Sequence, residues 1–292
     1  MALHFIVNLT SNHNKAEKEW NKIDAFMQTL SFAYTVHITK EVGHATSITH
    51  GLTSKGIKQT IIVCGGDGTL SEVINGIDDF ENTTISVLPI GSGNDFVRAT
   101  ALAKLSPIDA LKWILSNKPR QINYFSINEH RCINVFGFGL DTDILKRHYR
   151  HTWLPRKLSY KLATISCSLF WKSHHFRVQI DDGPIQEFDS LLTTVSNGQM
   201  IGGGLKVSPL AKIDDDYLDF TTVRKFKRSH TIPYLMKVLS GKIYTIPAVI
   251  SRKCKKVVID LPNNTYEYDG NIITNQDKVT IVLGGEKINF IG

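Results

Sequence analysis

Ten residues, Ile61-Ile62-Val63-Cys64-Gly65-Gly66-Asp67-Gly68-Thr69-Leu70, restrict what this chain can fold into more than any others. An apolar, β-branched run without alternation is the pattern of a strand buried on both faces, as in a parallel sheet. It stops in a turn with little side-chain bulk and one carboxylate, and residues 70–77 continue at helical spacing. A strand, a glycine turn and a helix N-terminus make a phosphate cradle, because backbone N–H groups point outward and the helix dipole favours an anion there. The same parts also make an ordinary tight strand-to-helix turn that uses glycine for positive φ. Asp67 bears on the choice: a carboxylate repels bare phosphate, so in a cradle it calls for a bridging cation or an acceptor hydroxyl.

The pattern around this run repeats. Strands are expected at 4–8, 34–38, 60–64 and 84–89, and helices at 15–30, 43–54, 70–77 and 107–116. Strands alternating with helices across short turns predict a doubly wound α/β domain with a mostly parallel sheet. Ligands in such sheets sit at the strand carboxyl ends, where both glycine-bearing turns, at 65–68 and 91–93, fall. From about residue 121 the texture changes to short alternating segments at 123–127, 131–136, 176–180, 188–196, 217–223, 256–261, 266–268 and 278–283. Turn signals such as Asp182-Gly183-Pro184 separate them. Helical insertions are expected at 156–172 and 229–239. The fold class is α/β plus β, with a C-terminal antiparallel β-sandwich. The boundary is set at 1–121 and 122–285, with a tail at 286–292 returning to the first domain.

Charge is unevenly placed along the 292 residues. The net charge is +7, yet residues 144–180 alone carry eight Lys/Arg and no acid. No apolar run approaches the ~20 residues that span a bilayer. The N-terminus runs into a strand without a basic leader, so a signal peptide is not expected. Cys64, Cys132, Cys167 and Cys254 are scattered with no CxxC pair, the pattern of reduced cytoplasmic thiols.

A second turn, Leu88-Pro89-Ile90-Gly91-Ser92-Gly93-Asn94-Asp95-Phe96-Val97-Arg98, sets glycines around a hydroxyl before an Asn-Asp pair. As a helix cap it is ordinary. With the first turn it resembles the diacylglycerol kinase catalytic domain family, whose marks are Gly-Gly-Asp-Gly-Thr and a following Leu-Pro-x-Gly-(Thr/Ser)-x-Asn-Asp-Phe-x-Arg. Further stretches resemble the same family in order: Thr39-Lys40-Glu41-Val42-Gly43-His44-Ala45, Asn134-Val135-Phe136-Gly137-Phe138-Gly139-Leu140-Asp141, and Gly202-Gly203-Gly204 through Ile213-Asp214-Asp215-Asp216-Tyr217-Leu218-Asp219. The resemblance runs from about residue 3 to residue 283.

It implies an ATP- and Mg²⁺-dependent lipid kinase acting on a lipid hydroxyl such as that of diacylglycerol. Sphingoid bases and other lipid alcohols are open alternatives. ATP contacts carry over to Thr39, Gly65, Gly66, Asp67, Gly68, Thr69, Leu70, Ser71 and Ser92, and carboxylates near the catalytic Mg²⁺ to Asp67 and Asp95. A structural Mg²⁺ carries over to Ile213, Asp216 and Leu218, with Tyr217 at the family's glycine position. The chain departs from the family at Asp269-Gly270-Asn271, where the family has Asp-Gly-Glu and the glutamate takes the lipid proton. Asparagine cannot accept that proton near neutral pH. Loss of a general base costs roughly 10²–10⁴-fold, so Asp269 or Asp67 is the expected substitute. A catalytically impaired nucleotide- or lipid-binding relative, and a soluble-substrate kinase of NAD-kinase type, are the rival readings.

The basic segment 146–161 interleaves cations with Tyr149, Trp153, Leu154 and Tyr160. That pattern suits docking to an anionic membrane surface, and no nucleic-acid motif accompanies it. A cytoplasmic, peripherally membrane-associated protein is expected.

Overall fold

The structure, a computed structural model, describes residues 2–12, 15–30, 32–150 and 156–292, the side chains of 148–150, 156–158, 160 and 161 excepted. The chain forms two compact units, Met1–Tyr124 with Gly284–Gly292, and Phe125–Leu283.

In the first unit β1 (Ala2–Val7), β2 (Thr35–Ile38), β3 (Gln59–Gly65) and β4 (Thr83–Pro89) lie parallel in the order β2-β1-β3-β4. Helices α1 (Lys15–Gln28), α2 (His44–Thr53) and α3 (Asp67–Asn75) make the crossovers, and α4 (Pro107–Ser116) follows β4. The first crossover moves one way along the sheet and the next two move the other way. Right-handed crossovers therefore set α1 on one face and α2 and α3 on the other. Packing agrees, since α1 lies against α4 and α2 against α3. Every residue of β3 is buried, which accounts for its unbroken apolar run. The chain reverses direction between β1 and β3, so their carboxyl ends flank the topological switch point.

Two strands complete this sheet. β5 (Arg120–Ile122) lies at its edge. The last strand, β19 (Ile288–Ile291), runs parallel to β4 and antiparallel to β5. The Ser86 hydroxyl donates to the Ile291 carbonyl at 2.6 Å, and Arg120 Nε to that of Gly292 at 3.2 Å. Phe290 is fully buried and meets Phe96 edge-on at 5.5 Å, tying the end of the chain to the turn after β4.

The second unit is mainly antiparallel β. Its elements are β6 (Phe125–Ile127), β7 (His130–Cys132), β8 (Val135–Gly139), α5 (Leu140–Arg150), α6 (Arg156–Leu169), β9 (His174–Ile180) and β10 (Ile185–Ser196). A small hairpin, β11 (Met200–Ile201) and β12 (Leu205–Lys206), precedes β13 (Leu218–Arg224), α7 (Thr231–Leu239) and β14 (Val249–Cys254). The unit closes with β15 (Lys256–Asp260), β16 (Thr265–Tyr268), β17 (Asn271–Thr274) and β18 (Lys278–Leu283). All but the small hairpin belong to one eleven-stranded sheet. The expected sandwich is this single sheet curled on itself, because β10 serves both layers. Its first half pairs with β9, and its second half with β8 and β13. The register shifts between Ser190 and Leu192, the kind of irregularity that lets a strand change layers.

One apolar core joins strands of both layers, with Phe136, Phe176, Phe220 and Tyr266 buried in it. Alternation puts the neighbouring side chains on the opposite face. There Val135, Leu192 and Val223 gather with Leu140, Trp171, Tyr234 and Val238 in a second cluster that the helical segments cover. Of the basic segment 146–161, the side chains of residues 148–158, 160 and 161 lie outside the described residues. Among the described residues no helix is long and apolar enough to cross a membrane.

Phe290→Ala deletes a fully buried ring at the strand that closes the first sheet. A loss of about 3–5 kcal/mol of unfolding free energy is expected, read from urea denaturation.

Candidate active site

Two turns at the carboxyl ends of adjacent strands touch backbone to backbone. A Cβ on Gly91 would overlap the Cα of Gly66, and one on Gly65 would sit 2.6 Å from Thr69 Oγ1. Only glycine leaves room for this approach. After β3 the chain passes extended through Gly66 and enters α3 at once. The first intrahelical bond runs from Leu70 N–H to the Gly66 carbonyl at 3.1 Å. The N–H groups of Asp67, Gly68 and Thr69 therefore have no carbonyl within the helix to bind, at its positive end. Gly68 is exposed, whereas Thr69, Leu70 and Ser71 are buried. These residues offer a phosphate-sized anion a built cradle.

Side chains from neighbouring strand ends frame it. Asn8, directly after β1, donates from Nδ2 to Thr69 Oγ1 at 3.1 Å across the switch point. Its Oδ1 accepts from Thr10 N–H and hydroxyl. Thr39, after β2, donates from its N–H to the Val7 carbonyl at 2.9 Å. The exposed Ser92 hydroxyl lies 3.5 Å from Asn12 Oδ1. Asn8 and Asn12 were not among the expected residues; their place beside the switch point, where ligands bind in such sheets, is the signal that could have found them.

The carboxylates of Asp67 and Asp95 come together over Gly93. A Cβ there would lie 2.9 Å from Asp67 Oδ2 and 3.5 Å from Asp95 Oδ2. Asp67 Oδ1 accepts the Phe96 N–H at 3.1 Å, which fixes the carboxylate. Asn94 holds the turn from within: it takes φ +53° and donates to the carbonyls of Pro89 and Gly91, both at 3.1 Å. Arg98 closes it, with NH2 donating to the Gly93 carbonyl and Nε 3.6 Å from Asp95. Two carboxylate oxygens beside an anion cradle are a donor set that fits Mg²⁺ bound together with phosphate oxygens.

In the second unit residues 268–271 form a two-residue hairpin, with Tyr268 paired to Asn271 and positive φ at both Asp269 (+46°) and Gly270 (+85°). This is type I′ geometry, for which Asp-Gly is a favoured pair. Asp269 is occupied with structure. Its Oδ1 accepts from Val135 N–H and the Cys132 thiol, and its Oδ2 from Ile133 N–H, all at 3.2–3.3 Å. Asn271 is exposed at the start of β17.

Behind the hairpin stands a carboxyl pair absent from the sequence expectation as a pair. Glu267 and Asp141 are both 3% exposed and share a hydrogen bond, crowded over Gly137 where a Cβ would collide with Asp141. Glu267 Oε2 also accepts the Gly270 N–H at 3.1 Å. Burial pushes the Asp141 carboxyl up to about 7, and burial with the Asp141 charge holds Glu267 well above the usual carboxylate range. Two such acids in contact hold a shared proton near neutral pH.

The loop expected to hold a structural Mg²⁺ differs from the expectation in register. Its left-handed residue is Asp216, with φ +63°, not Tyr217. Aspartate tolerates this conformation better than a bulky side chain, so Asp216 takes the glycine position and Asp215 the carboxylate position. Asp215 accepts the Tyr217 N–H and forms an ion pair with Lys253, whose Nζ is also 3.8 Å from Asp219. Burial raises the Asp219 carboxyl pKa, and the Lys253 ammonium opposes that shift. A cation already neutralises this loop, and Asp216 itself is exposed, so the set Ile213, Asp216 and Leu218 fits a resident Mg²⁺ poorly.

Residues 2–127 match the diacylglycerol kinase catalytic domain model, and residues 134–283 match the YegS C-terminal NAD kinase beta sandwich-like domain. The chain belongs to the diacylglycerol kinase catalytic domain family. A Bacillus subtilis (strain 168) protein named diacylglycerol kinase is 24% identical over 88% of this chain and 84% of its own length. A protein named probable lipid kinase YegS, from Escherichia coli O6:K15:H31 (strain 536 / UPEC), is 28% identical over 87% of this chain and 85% of its own length. Among solved structures, a diacylglycerol kinase from Bacillus anthracis str. Sterne superposes with TM-score 0.78 at 22% identity, covering 99% of this chain and 96% of that one. An NAD kinase from Archaeoglobus fulgidus in complex with ATP reaches TM-score 0.51 at 10% identity, over 99% and 93%. These two likenesses establish the fold.

Gly91→Ala is expected to force the two turns apart. The variant should lose nucleotide binding by calorimetry and melt at lower temperature than the parent. Asp141→Asn tests the buried pair through pH. An acid whose folded pKa is raised from 3.8 to about 7 makes folding progressively less favourable as pH climbs through that window. The parent is therefore expected to lose stability from pH 4 to 7 relative to Asp141→Asn (a window of roughly three pH units), measured as the difference in melting temperature across pH.

Proposed function

We propose that the protein is an ATP- and Mg²⁺-dependent lipid kinase that transfers the γ-phosphate to a lipid hydroxyl such as that of diacylglycerol. The observation that carries this reading is the convergence of Asp67 and Asp95 beside the cradle made by the Gly66–Gly91 contact. The N–H groups at 67–69 hold phosphate, with Gly65, Gly66, Leu70 and Ser71 shaping the turn and Thr39 and Ser92 supplying hydroxyls. Asp67 and Asp95 would hold the Mg²⁺, which when bound neutralises charge on the transferred phosphoryl group. Asn271 stands at the position of the family's glutamate, on a turn that Asp269 holds in place. With the glutamate missing and Asp67 engaged by the Phe96 N–H and the metal, the acceptor proton passes to the transferred phosphoryl group. Phosphoryl transfer depends mainly on positioning and electrostatics, so the missing glutamate slows the reaction without abolishing it. A structural Mg²⁺ at Ile213, Asp216 and Leu218 is not part of this reading. The protein works at an anionic membrane surface, with segment 146–161 contributing.

Asn271 favours one second reading, a catalytically impaired relative that binds nucleotide or lipid. Incubation with labelled ATP, Mg²⁺ and a lipid extract separates the two. Phosphate incorporation into a lipid alcohol is expected, lost in Asp67→Ala and raised roughly tenfold or more in Asn271→Glu. Nucleotide binding with no phosphorylated lipid, even in Asn271→Glu, overturns the kinase reading. Transfer to NAD instead would move the protein to the soluble-substrate class.

A further inference from the structure

Two carboxyl groups anchor the turn at 268–271, and they do so from different sides. Asp269 ties it to the segment before β8, through the N–H groups of Ile133 and Val135 and the Cys132 thiol. Glu267 holds it from within the hairpin, where Oε2 accepts the Gly270 N–H at 3.1 Å. Gly270 is the residue before Asn271.

Glu267 is in turn held by Asp141. In the pairing of β16 with β8, Glu267 lies across from Gly137. A Cβ on Gly137 would collide with Asp141 Oδ2 and lie 3.5 Å from Glu267 Oε1, so those two oxygens meet over the glycine. Asp141 Oδ1 is already satisfied, accepting the Thr142 N–H at 2.6 Å at the start of α5. Asp141 Oδ2 is buried and receives no N–H or hydroxyl. A proton on Glu267 Oε1 is the donor that satisfies it. One protonated Glu267 thus serves two partners, donating to Asp141 and accepting from Gly270.

The groups around the pair keep that proton in place. Asp143 on α5 and Asp269 in the turn are both acids, and each favours the protonated pair. The Cys132 thiol is kept neutral by burial, and Ile272, across from Glu267 on β17, has no charge. Among the described residues neither acid has a cation partner.

We propose that Glu267 is a positioning residue: braced by Asp141 and bonded to Gly270, it fixes the turn that carries Asn271. The assignment rests on the proposed phosphoryl transfer, in which placement of groups matters more than a base. Loss of the shared proton leaves two carboxylates side by side over Gly137 with no cation between them, and their repulsion breaks the brace. Both acids have raised pKa values, Asp141 at about 7, so the brace is intact at neutral pH and is lost as pH rises above it.

Two substitutions test this. Glu267→Gln offers the same two bonds without a titrating proton, since its amide can donate to Asp141 and accept from Gly270. Glu267→Ala offers neither. With labelled ATP, Mg²⁺ and dispersed diacylglycerol, Glu267→Ala is expected to lose roughly tenfold or more in kcat. Its KM for ATP should hold, because the phosphate cradle belongs to the other unit. Glu267→Gln should recover most of that loss. The rate of the parent relative to Glu267→Gln should fall as pH rises from about 7 to about 9. A flat ratio, a kcat in Glu267→Ala within about twofold of the parent, or equal losses in both variants overturns the proposal. If Glu267→Ala does not fold, the pH dependence of that ratio decides. Exchange of the Gly270 amide, followed by NMR, separates this proposal from the reading beneath it. A parent that phosphorylates no lipid, with Gly270 protected in the parent and Glu267→Gln but not in Glu267→Ala, loses the kinase reading and keeps the brace. A parent that phosphorylates lipid, with Gly270 equally protected in all three, does the reverse.

Discussion

The backbone of Gly66 against that of Gly91 is the contact on which the first unit depends. It allows two strand-end turns to lie closer than any side chain would permit, and that closeness brings Asp67 and Asp95 to one point. Neither aspartate is placed by its own turn alone: Asp67 is fixed by the N–H of Phe96, which belongs to the other turn. The two loops therefore behave as one structural object. Phe96 is also where the last strand presses in, through Phe290.

The second unit treats its acids differently. Asp269 is consumed in tying a hairpin to the strand before it, and Glu267 and Asp141 are buried against each other. Asp215 and Asp219 share Lys253. In each case a carboxylate is matched by backbone N–H groups, a shared proton or an ammonium. Burial demands one of these of any such group. Lys225, Lys227 and Arg228 gather instead at the junction of α6 and α7.

Much of the first unit was legible in the sequence because its signals are local. The apolar run into Gly65 gives β3, and Ser106-Pro107 gives the start of α4, where Ser106 accepts the Asp109 N–H as a helix cap. What escaped was set by distant partners. β14 carries Ser251-Arg252-Lys253 and pairs with a single strand, so as an edge it has charge where alternation was sought. The tail at 286–292 was expected to return to the first domain, but that it does so as strand β19 depends on β4. Asp269-Gly270 was read for chemistry, although Asp-Gly between two strand-like segments is also the strongest short hairpin signal. The Glu267–Asp141 contact joins two strands and a helix start far apart in the chain, and no spacing rule reaches it. The register of the 213–218 loop was available: aligning Leu218-Asp219 with the family pattern puts Asp216 at the glycine position, as its positive φ requires.

The position of β19 has a consequence for how the protein is made. The strands β1 to β5 of the first unit are synthesised before the second unit, yet their sheet lacks the strand between β4 and β5 until residues 288–291 arrive. The Ser86 hydroxyl waits for a carbonyl 205 residues downstream. The second unit, by contrast, is one continuous stretch of chain, complete as soon as it leaves the ribosome. Order of synthesis and order of completion are thus inverted, and the edge of β4 stays open while everything after it is translated. A nascent sheet with an unfilled edge is a target for mispairing and for chaperones. Residues 288–291 act as the latch that ends that exposure.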